Sequence, residues 1–210
     1  MAIRLALAAD EDLTLLGAKA VLEREYRYRV VGTARMLSDL WRLVTEKKPD
    51  VIIINDWLGG MHAAAITEKL KRHNRRLKVI VMSGVSDGLF IHDLFTAGIN
   101  GYLHTSDVLA DSLASAVDTV MADFPYLSPF ARNAYIIAMQ APDRNNRITA
   151  ESLRVLNLLA QGNPVGKIAF ELDLPIRRVY WVRDKLRHRF DATTNEHLIY
   201  CAMAQGFLAG

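Results

Sequence analysis

Short apolar runs alternate with helical patterns along the first 120 residues. The run "VIII" at 51–54 is typical of a buried strand, and the segment 13–24 places Leu13, Leu16, Ala20 and Val21 on one helical face. The predicted strands are 3–9, 28–34, 51–54, 78–83 and 101–104, and the predicted helices are 13–24, 37–48, 63–73, 87–97 and 107–122. Such alternation predicts an α/β domain, a doubly wound five-stranded parallel sheet with helices on both faces.

The alternation stops after residue 124. Pro125, Pro129 and Pro142 bracket a predicted helix at 130–140, and "APDRNN" is typical of an exposed linker. The helices predicted beyond it are 149–161, 164–172, 175–190 and 194–207. The predicted organisation is therefore a first domain at 1–124, a linker with a short helix at 125–147, and an all-α four-helix domain at 148–210.

A helix-turn-helix is predicted within the second domain. The short helix "VGKIAFEL" is followed by the turn "DLP" and a longer basic helix, whose first turn accommodates Pro175. A buried stripe is predicted along that longer helix at Val179, Val182, Leu186 and Phe190. The opposite, outer face is predicted to carry Arg177, Arg178, Trp181, Lys185 and His188. A helix of this kind can enter a major groove while neighbouring cations meet phosphates.

The net charge of +3 is unevenly distributed between the two parts of the chain. Residues 1–142 carry 16 Lys+Arg and 16 Asp+Glu, whereas residues 143–210 carry 10 and 7. Six basic residues and a single acid lie within 175–189. This excess predicts a polyanionic partner, most simply double-stranded DNA. A solvated helix face is the alternative, and RNA fits less well because a helix-turn-helix is shaped for a duplex major groove.

The composition excludes several other classes of protein. Cys201 is the only cysteine, so neither a disulfide framework nor a Cys-rich zinc site is available. The six histidines show no metal-ligand spacing, and no cofactor is predicted. No apolar run approaches the roughly 20 residues of a membrane span, so a cytoplasmic protein without a membrane partner is expected. The sequence offers no nucleophile–base pair or Gly-rich phosphate loop, and an enzyme is not predicted.

Polar residues follow the predicted strands of the first domain. Because ligands bind at the carboxyl ends of strands in doubly wound sheets, a site is expected there. The residues at those ends are Ala9, Asp10, Asn55, Ser83 and Thr105.

Several motifs run along almost the whole chain. The segment 148–208 begins with "ITAES", continues with "VLNLLAQG" and "IAFEL", and ends with "GFL". It resembles the DNA-binding domain of LuxR/FixJ-type (NarL-type) response regulators. The first domain carries "PDVIII", "VIVMSG", "AGINGYL" and "YLSP", and it is similar to a receiver domain. The resemblance implies a flavodoxin-like receiver followed by a helix-turn-helix, in a transcription regulator of an atypical two-component system.

The resemblance also implies roles for residues of the second domain. Contacts with bases and phosphates fall in the region of Arg177, Arg178, Tyr180, Trp181 and Lys185. This surface departs from the family because it is more aromatic, so the ring at 180 or 181 could press on a thymine methyl or could pack inside the protein. The last helix pairs two subunits in the family, which implies a homodimer. Its apolar face is Leu198, Ile199, Ala202 and Met203.

In the first domain, the resemblance places a phosphoacceptor pocket at the strand ends, with Tyr102 beside it. The acceptor position is Asn55, the metal-binding acidic pair is Ala9-Asp10 and so lacks one of its two carboxylates, and the lysine position is Thr105; the hydroxyl is kept as Ser83. Aspartyl phosphorylation needs a carboxylate and a Mg²⁺ held by further carboxylates. Three of five roles are absent, which predicts a receiver that is not phosphorylated.

Asp56 is the remaining carboxylate next to the acceptor position. By strand alternation its side chain is expected to point away from the pocket, because adjacent strand residues face opposite sides, but a loop can relax that rule, and Glu11 or Asp12 could then assist with a metal. Asn55 is expected to bridge Asp10 and Ser83 by hydrogen bonds. The prediction is a phosphorylation-independent regulator, whose first domain can take a protein partner or a small ligand. The alternative is a receiver-like interaction module with weak or partner-dependent DNA binding.

Overall fold

The computed structural model describes residues 2–140, 148–204 and 206–208. The chain divides into two compact units, Met1–Pro142 and Asp143–Gly210. Residues 141–147 of the linker predicted at 125–147 lie outside the described residues. No helix within the described ranges is long and apolar enough to cross a membrane.

The strands of the first unit are β1 Ile3–Ala8, β2 Tyr28–Ala34, β3 Val51–Asn55, β4 Trp57–Leu58, β5 Met61–His62, β6 Lys78–Ser83, β7 Gly101–His104 and β8 Tyr126–Leu127. Six of them form a parallel sheet in the order β2-β1-β3-β6-β7-β8. Every residue of β3 is buried, as expected for a central strand covered on both faces. The predicted doubly wound parallel sheet is confirmed.

Two short elements of the sheet region differ from the prediction of five strands. β4 and β5 form a two-stranded antiparallel hairpin just beyond β3. β8 adds a sixth strand that pairs in parallel with β7, and the Tyr126 N–H donates to the Asn100 carbonyl. Strands of two residues contain no periodicity, so the sequence pattern could not reveal them.

Helices cover both faces of this sheet. They are α1 Asp12–Leu22, α2 Leu37–Arg42, α3 Ala63–His73, α4 Gly88–Thr96, α5 Leu109–Met121 and α6 Pro129–Gln140, with a π-helical turn at Leu43–Lys47 extending α2. The buried side of α1 is Leu15, Ala18 and Leu22, whereas Leu13 and Leu16 are exposed. The apolar face expected for this helix was therefore misplaced by about half a turn.

Helix α6 was predicted as part of the linker and is found packed on α4. The two helices approach so closely that a Cβ added at Gly88 would lie 2.1 Å from the Ala134 carbonyl oxygen. The Tyr135 ring lies against Phe95, with ring centroids 5.8 Å apart. Helix α6 thus belongs to the compact first unit.

The second unit is all-helical, as predicted. Its helices are α7 Ala150–Ala160, α8 Val165–Leu172, α9 Ile176–Arg189 and α10 Asn195–Ala204. Thr149 caps α7 by accepting a hydrogen bond from the Ser152 N–H at 3.1 Å. Asp173 adopts a left-handed conformation (φ 52°) in the turn between α8 and α9. The buried stripe predicted on α9, from Val179 to Phe190, is confirmed.

Candidate functional site

The first candidate site lies at the carboxyl ends of β1, β3 and β6. Ala9, Asn55 and Ser83 are buried there, and Asp10 is half-buried. β3 is hydrogen-bonded to both β1 and β6, so its end lies between theirs. The structure therefore brings together the strand-end residues that the sequence predicted.

Asp56 lies beside Ser83 in this site. The Ser83 hydroxyl donates to the Asp56 carboxylate at 2.7 Å and accepts from the Val85 N–H at 3.1 Å. The expectation that Asp56 points away from the pocket is therefore wrong. β3 ends at Asn55, and the Asp56 carbonyl already accepts from the Ala63 N–H at 2.8 Å, so strand alternation no longer governs the next side chain.

The bridge expected from Asn55 to Asp10 and Ser83 is also wrong. Within the described part of the chain the Asn55 side chain bonds to neither residue. The Asp10 carboxylate accepts instead from the Gly59 N–H at 3.3 Å. Asn55 contributes a buried neutral amide, and the charged oxygen atoms of the pocket come from its neighbours.

Arg35, which was not identified from the sequence, places a cation beside Asp10 and Asp12 at the edge of the pocket. The Arg35 guanidinium lies 3.2 Å from the Asp12 carboxylate and 3.3 Å from the Asp10 carbonyl oxygen. Arg35 directly follows β2, the strand next to β1, and this adjacency is the signal that could have identified it.

The side chains do not fit a divalent metal. Such ions take several oxygen ligands, mainly carboxylates. Among residues 2–140, 148–204 and 206–208, no group of three or more His, Cys, Asp or Glu side chains could hold one. Ala9 removes one carboxylate, and Arg35 engages the acidic side chain of Asp12. The magnesium ion that the resemblance implies has no ligand set here.

Two residues of β7 and its loop complete the pocket. Tyr102 is fully buried, and its hydroxyl donates to the Val85 carbonyl, so it contacts the loop that follows Ser83. Thr105 is exposed and its N–H donates to the Ser83 carbonyl at 3.0 Å. The position that would carry a lysine thus holds a short, neutral side chain.

The second candidate site is the outer surface of α9. Arg177, Tyr180 and Lys185 are half-buried and His188 is exposed, which agrees with the predicted outer face. Arg178 and Trp181 are only 7% and 8% exposed, so the expectation that they lie on the outer face is wrong.

Contacts with the neighbouring helix explain this burial. The Arg178 guanidinium donates to the carboxylate of Glu151 on α7 at 2.8 Å. Its carbon atom Cζ lies 4.2 Å from the centroid of the Trp181 ring, and the Lys185 ammonium lies 4.9 Å from the same centroid. Arg178 therefore links α9 to α7 inside the unit, and its guanidinium already forms a hydrogen bond there.

The surface that remains outside on α8 and α9 is mixed in character. Its exposed members include Lys167, Phe170, Glu171, Ile176, Asp184 and His188, and its half-buried members include Arg177, Tyr180, Arg183 and Lys185. Phe170 is 90% exposed and Ile176 is 47% exposed. Arg183 lies over the Tyr180 ring at 4.9 Å and pairs with Asp184 at 2.8 Å. The sequence analysis did not single out Phe170 or Ile176, because apolar helix residues are more often core.

The face predicted for subunit pairing on α10 is divided by the structure. Leu198 and Ala202 are fully buried in the core of their own unit. Ile199 is half-buried and Met203 is 44% exposed, and Tyr200 between them is 71% exposed. The outward apolar residues of α10 are therefore Ile199, Tyr200 and Met203.

The sequence model of the family described as "Response regulator receiver domain" matches residues 5–116, just over half of the chain. The chain belongs to this family. Response regulator GacA of Pseudomonas aeruginosa is 24% identical over 210 residues, with 98% of both chains covered. The transcriptional regulatory protein LiaR of Bacillus subtilis is 26% identical, with 84% of this chain and 85% of LiaR covered. These relatives are regulators, in agreement with the prediction that the chain is not an enzyme.

Solved structures share the fold. RcsB from Salmonella enterica serovar Typhimurium, bound to a promoter with the phosphomimetic BeF3−, is similar with a TM-score of 0.64 at 18% identity; 96% of this chain and 98% of RcsB are covered. A LuxR-family response regulator from an Aurantimonas species has a TM-score of 0.63 at 21% identity, covering 67% of this chain and all of that one. The resemblance to LuxR-type response regulators is therefore confirmed.

Proposed function

We propose that this response regulator binds specific duplex DNA as a homodimer and does so without phosphorylation. The observation that carries the proposal is the outer face of α9, where half-buried Arg177 and Tyr180 and exposed His188 lie on the second helix of a helix-turn-helix. The diameter of an α-helix matches the width of a major groove, so a basic helix can lie in the groove and bring its side chains to the base edges. The promoter-bound RcsB supports the same use of this architecture.

The exposed apolar residues of α10 support the dimer. Tyr200 and Met203 lie outside the core of the second unit, and Ile199 lies between the core and this surface. A two-fold pairing through this helix would present two copies of α9 to successive half-sites of a palindrome. The two subunits would then bind a two-fold operator about one helical turn apart.

The pocket of the first unit supports independence from phosphorylation. The acceptor position holds the Asn55 amide, Thr105 stands where a lysine is needed, and the side chains do not fit a divalent metal. The Ser83 hydroxyl is already bonded to Asp56, which holds the loop after β6 in one arrangement. The first unit then acts by contact with a protein partner or with a small ligand at this pocket.

Replacing Asn55 by aspartate is expected to leave the chain unlabelled by acetyl phosphate and Mg²⁺, because Ala9 and Thr105 still remove a metal ligand and the cation. Intact-mass spectrometry after a timed incubation checks this. The unaltered chain and Asp56→Asn serve as controls. Stoichiometric labelling of Asn55→Asp would contradict the proposal, and labelling of the unaltered chain that is lost in Asp56→Asn would place the chemistry at Asp56.

The DNA-binding proposal is tested by retaining sheared genomic DNA on the purified, unmodified full-length protein at two salt concentrations and sequencing the fragments. A two-fold site that stays enriched at the higher salt is expected. Arg177→Ala should then weaken binding to that site by about 1–3 kcal/mol if Arg177 reads a base. Arg154→Ala, an exposed arginine on α7, is the matched control and should leave it unchanged. Retention without any enriched site contradicts the proposal.

One observation favours a second function, a receiver-like interaction module with weak or partner-dependent DNA binding. Phe170 is 90% exposed on the first helix of the helix-turn-helix, with the partly exposed Ile176 on the next helix. Apolar side chains of this size are enriched at protein interfaces and contribute little to phosphate contacts. If the genomic experiment yields salt-labile retention only, capture of a protein partner that fails with Phe170→Ser would support the module.

A further inference from the structure

A strongly basic segment lies in the first unit. The end of α3, the loop after it and the first residue of β6 read "KLKRHNRRLK" at 69–78, with six Lys or Arg, one His and no acid. The equal totals of acidic and basic residues in 1–142 conceal this cluster. Whether this segment can bind a partner depends on how many of its six cations already have hydrogen-bond or ion-pair partners within the protein.

Three of the six cations have internal partners. The Lys71 ammonium donates to the Leu77 carbonyl at 2.6 Å and to the Asn100 side-chain oxygen at 2.7 Å. Burial, and then the nearby charge of Lys78, lower the pKa of the Lys71 amine. The remaining two engaged cations are Arg72, which pairs with Glu68 at 3.5 Å, and Lys78, which pairs with Asp123.

The other three cations point to solvent. Lys69, Arg75 and Arg76 are exposed, and none of them has an ion-pair partner within the part of the chain that the structure describes. Their backbone is held in a defined turn, since the Asn74 side-chain oxygen accepts from the Arg76 N–H at 3.0 Å. We name Lys69, Arg75 and Arg76 the α3 basic surface.

The surface lacks the apolar residues that other partners require. Leu70 and Leu77, the two large apolar residues of the segment, are fully buried or nearly so. Interfacial membrane binding needs inserted apolar side chains, and protein interfaces need an apolar core. Guanidinium groups, by contrast, bind phosphate oxygens in a bidentate manner without any apolar contact.

We propose that the α3 basic surface binds the phosphate backbone of duplex DNA at the same time as the helix-turn-helix. The inference rests on the proposed function and adds a second contact in the first unit. A site tethered to a bound domain acts at a high effective concentration, so contacts too weak to bind alone still add affinity. Each neutralised phosphate steepens the salt dependence of binding by about 0.9. Three cations would therefore supply a slope of about 2.7.

The test uses the full chain, a duplex that carries the genomic site with its natural flanks, and the variant K69Q/R75Q/R76Q. The control R24Q/R29Q/R132Q removes the same charge from exposed arginines elsewhere in the first unit. The slope of log K against log salt should become shallower by about 2–3 in the first variant and stay within about 0.5 in the control. When the salt is raised from 50 to 200 mM, the factor by which binding weakens should then be roughly 40-fold smaller for K69Q/R75Q/R76Q than for the unaltered chain.

The outcomes separate the two proposals. Equal slopes in both variants, with specific binding kept and unchanged circular dichroism, would overturn the α3 contact alone. Failure of the unaltered chain to bind any site would overturn the proposed function and this inference with it. Vesicles of phosphatidylcholine with 30% phosphatidylserine provide the remaining arm. Retention that is lost in K69Q/R75Q/R76Q, together with an unchanged DNA slope, would assign the surface to anionic lipid and overturn the DNA contact.

Discussion

Replacing Glu151 by alanine is expected to destabilise the second unit by about 2–3 kcal/mol. The substitution leaves the guanidinium of Arg178, 7% exposed, without the carboxylate that it contacts at 2.8 Å. Removing one partner of a buried pair costs about 3–5 kcal/mol, and the partial exposure of Glu151 lowers that figure. Hydrogen exchange of the α7 and α9 amides in the full-length chain measures the change.

Two further variants make this prediction specific. Glu68→Ala breaks the exposed pair with Arg72 and should change stability by less than about 0.5 kcal/mol. Adding Arg178→Met to Glu151→Ala should recover at least half of the loss, because the buried guanidinium is then removed together with the carboxylate that it contacts. If hydrogen exchange is unchanged in Glu151→Ala, or if the double variant is less stable than Glu151→Ala, then the pair of Arg178 and Glu151 does not link α9 to α7.

Replacing Gly88 by alanine is expected to destabilise the first unit by about 3 kcal/mol. The new Cβ would lie 2.1 Å from the Ala134 carbonyl oxygen and 2.6 Å from the Ala138 Cβ, and neither atom can move without moving α6. The gain in helix propensity on replacing glycine by alanine is at most about 1 kcal/mol, so the steric term decides the sign. Urea unfolding and exchange of the α6 amides measure it.

The same substitution at Gly17 should have the opposite sign. Gly17 is exposed within α1, and a Cβ there would meet nothing within 4 Å. Helix propensity is then the only term that changes, and Gly17→Ala should stabilise the chain by about 0.5–1 kcal/mol. If the two variants change the unfolding midpoint in the same direction, the close approach of α4 and α6 is not present in solution.

The core of the fold was predictable because apolar residues recur along the sequence at the positions that the fold buries. Val51 to Ile54 form a continuous apolar run, and Val179 to Phe190 recur at helical spacing, so both patterns are explicit in the sequence. The family resemblance then located the pocket, since the ends of parallel strands meet at one edge.

Contacts between elements were not predictable in the same way. A helical pattern places Arg178 outside, because nothing along α9 reveals that Glu151 on α7 lies opposite it. Strand alternation placed Asp56 outside the pocket, because the rule ends where the strand ends. On α10, Leu198 and Ile199 are equally apolar, and only the packing of the unit decides which of them is buried.

The two-residue strand β8 also changes how the sheet ends. An open edge strand presents unpaired N–H and C=O groups that can template another chain, which is a route to aggregation. Here β8 covers β7 with only Tyr126 and Leu127, and the prolines at 125 and 129 on either side carry no N–H to offer. This edge therefore offers a further strand few backbone groups to pair with, and residues 125–129 disfavour self-association at this end of the sheet.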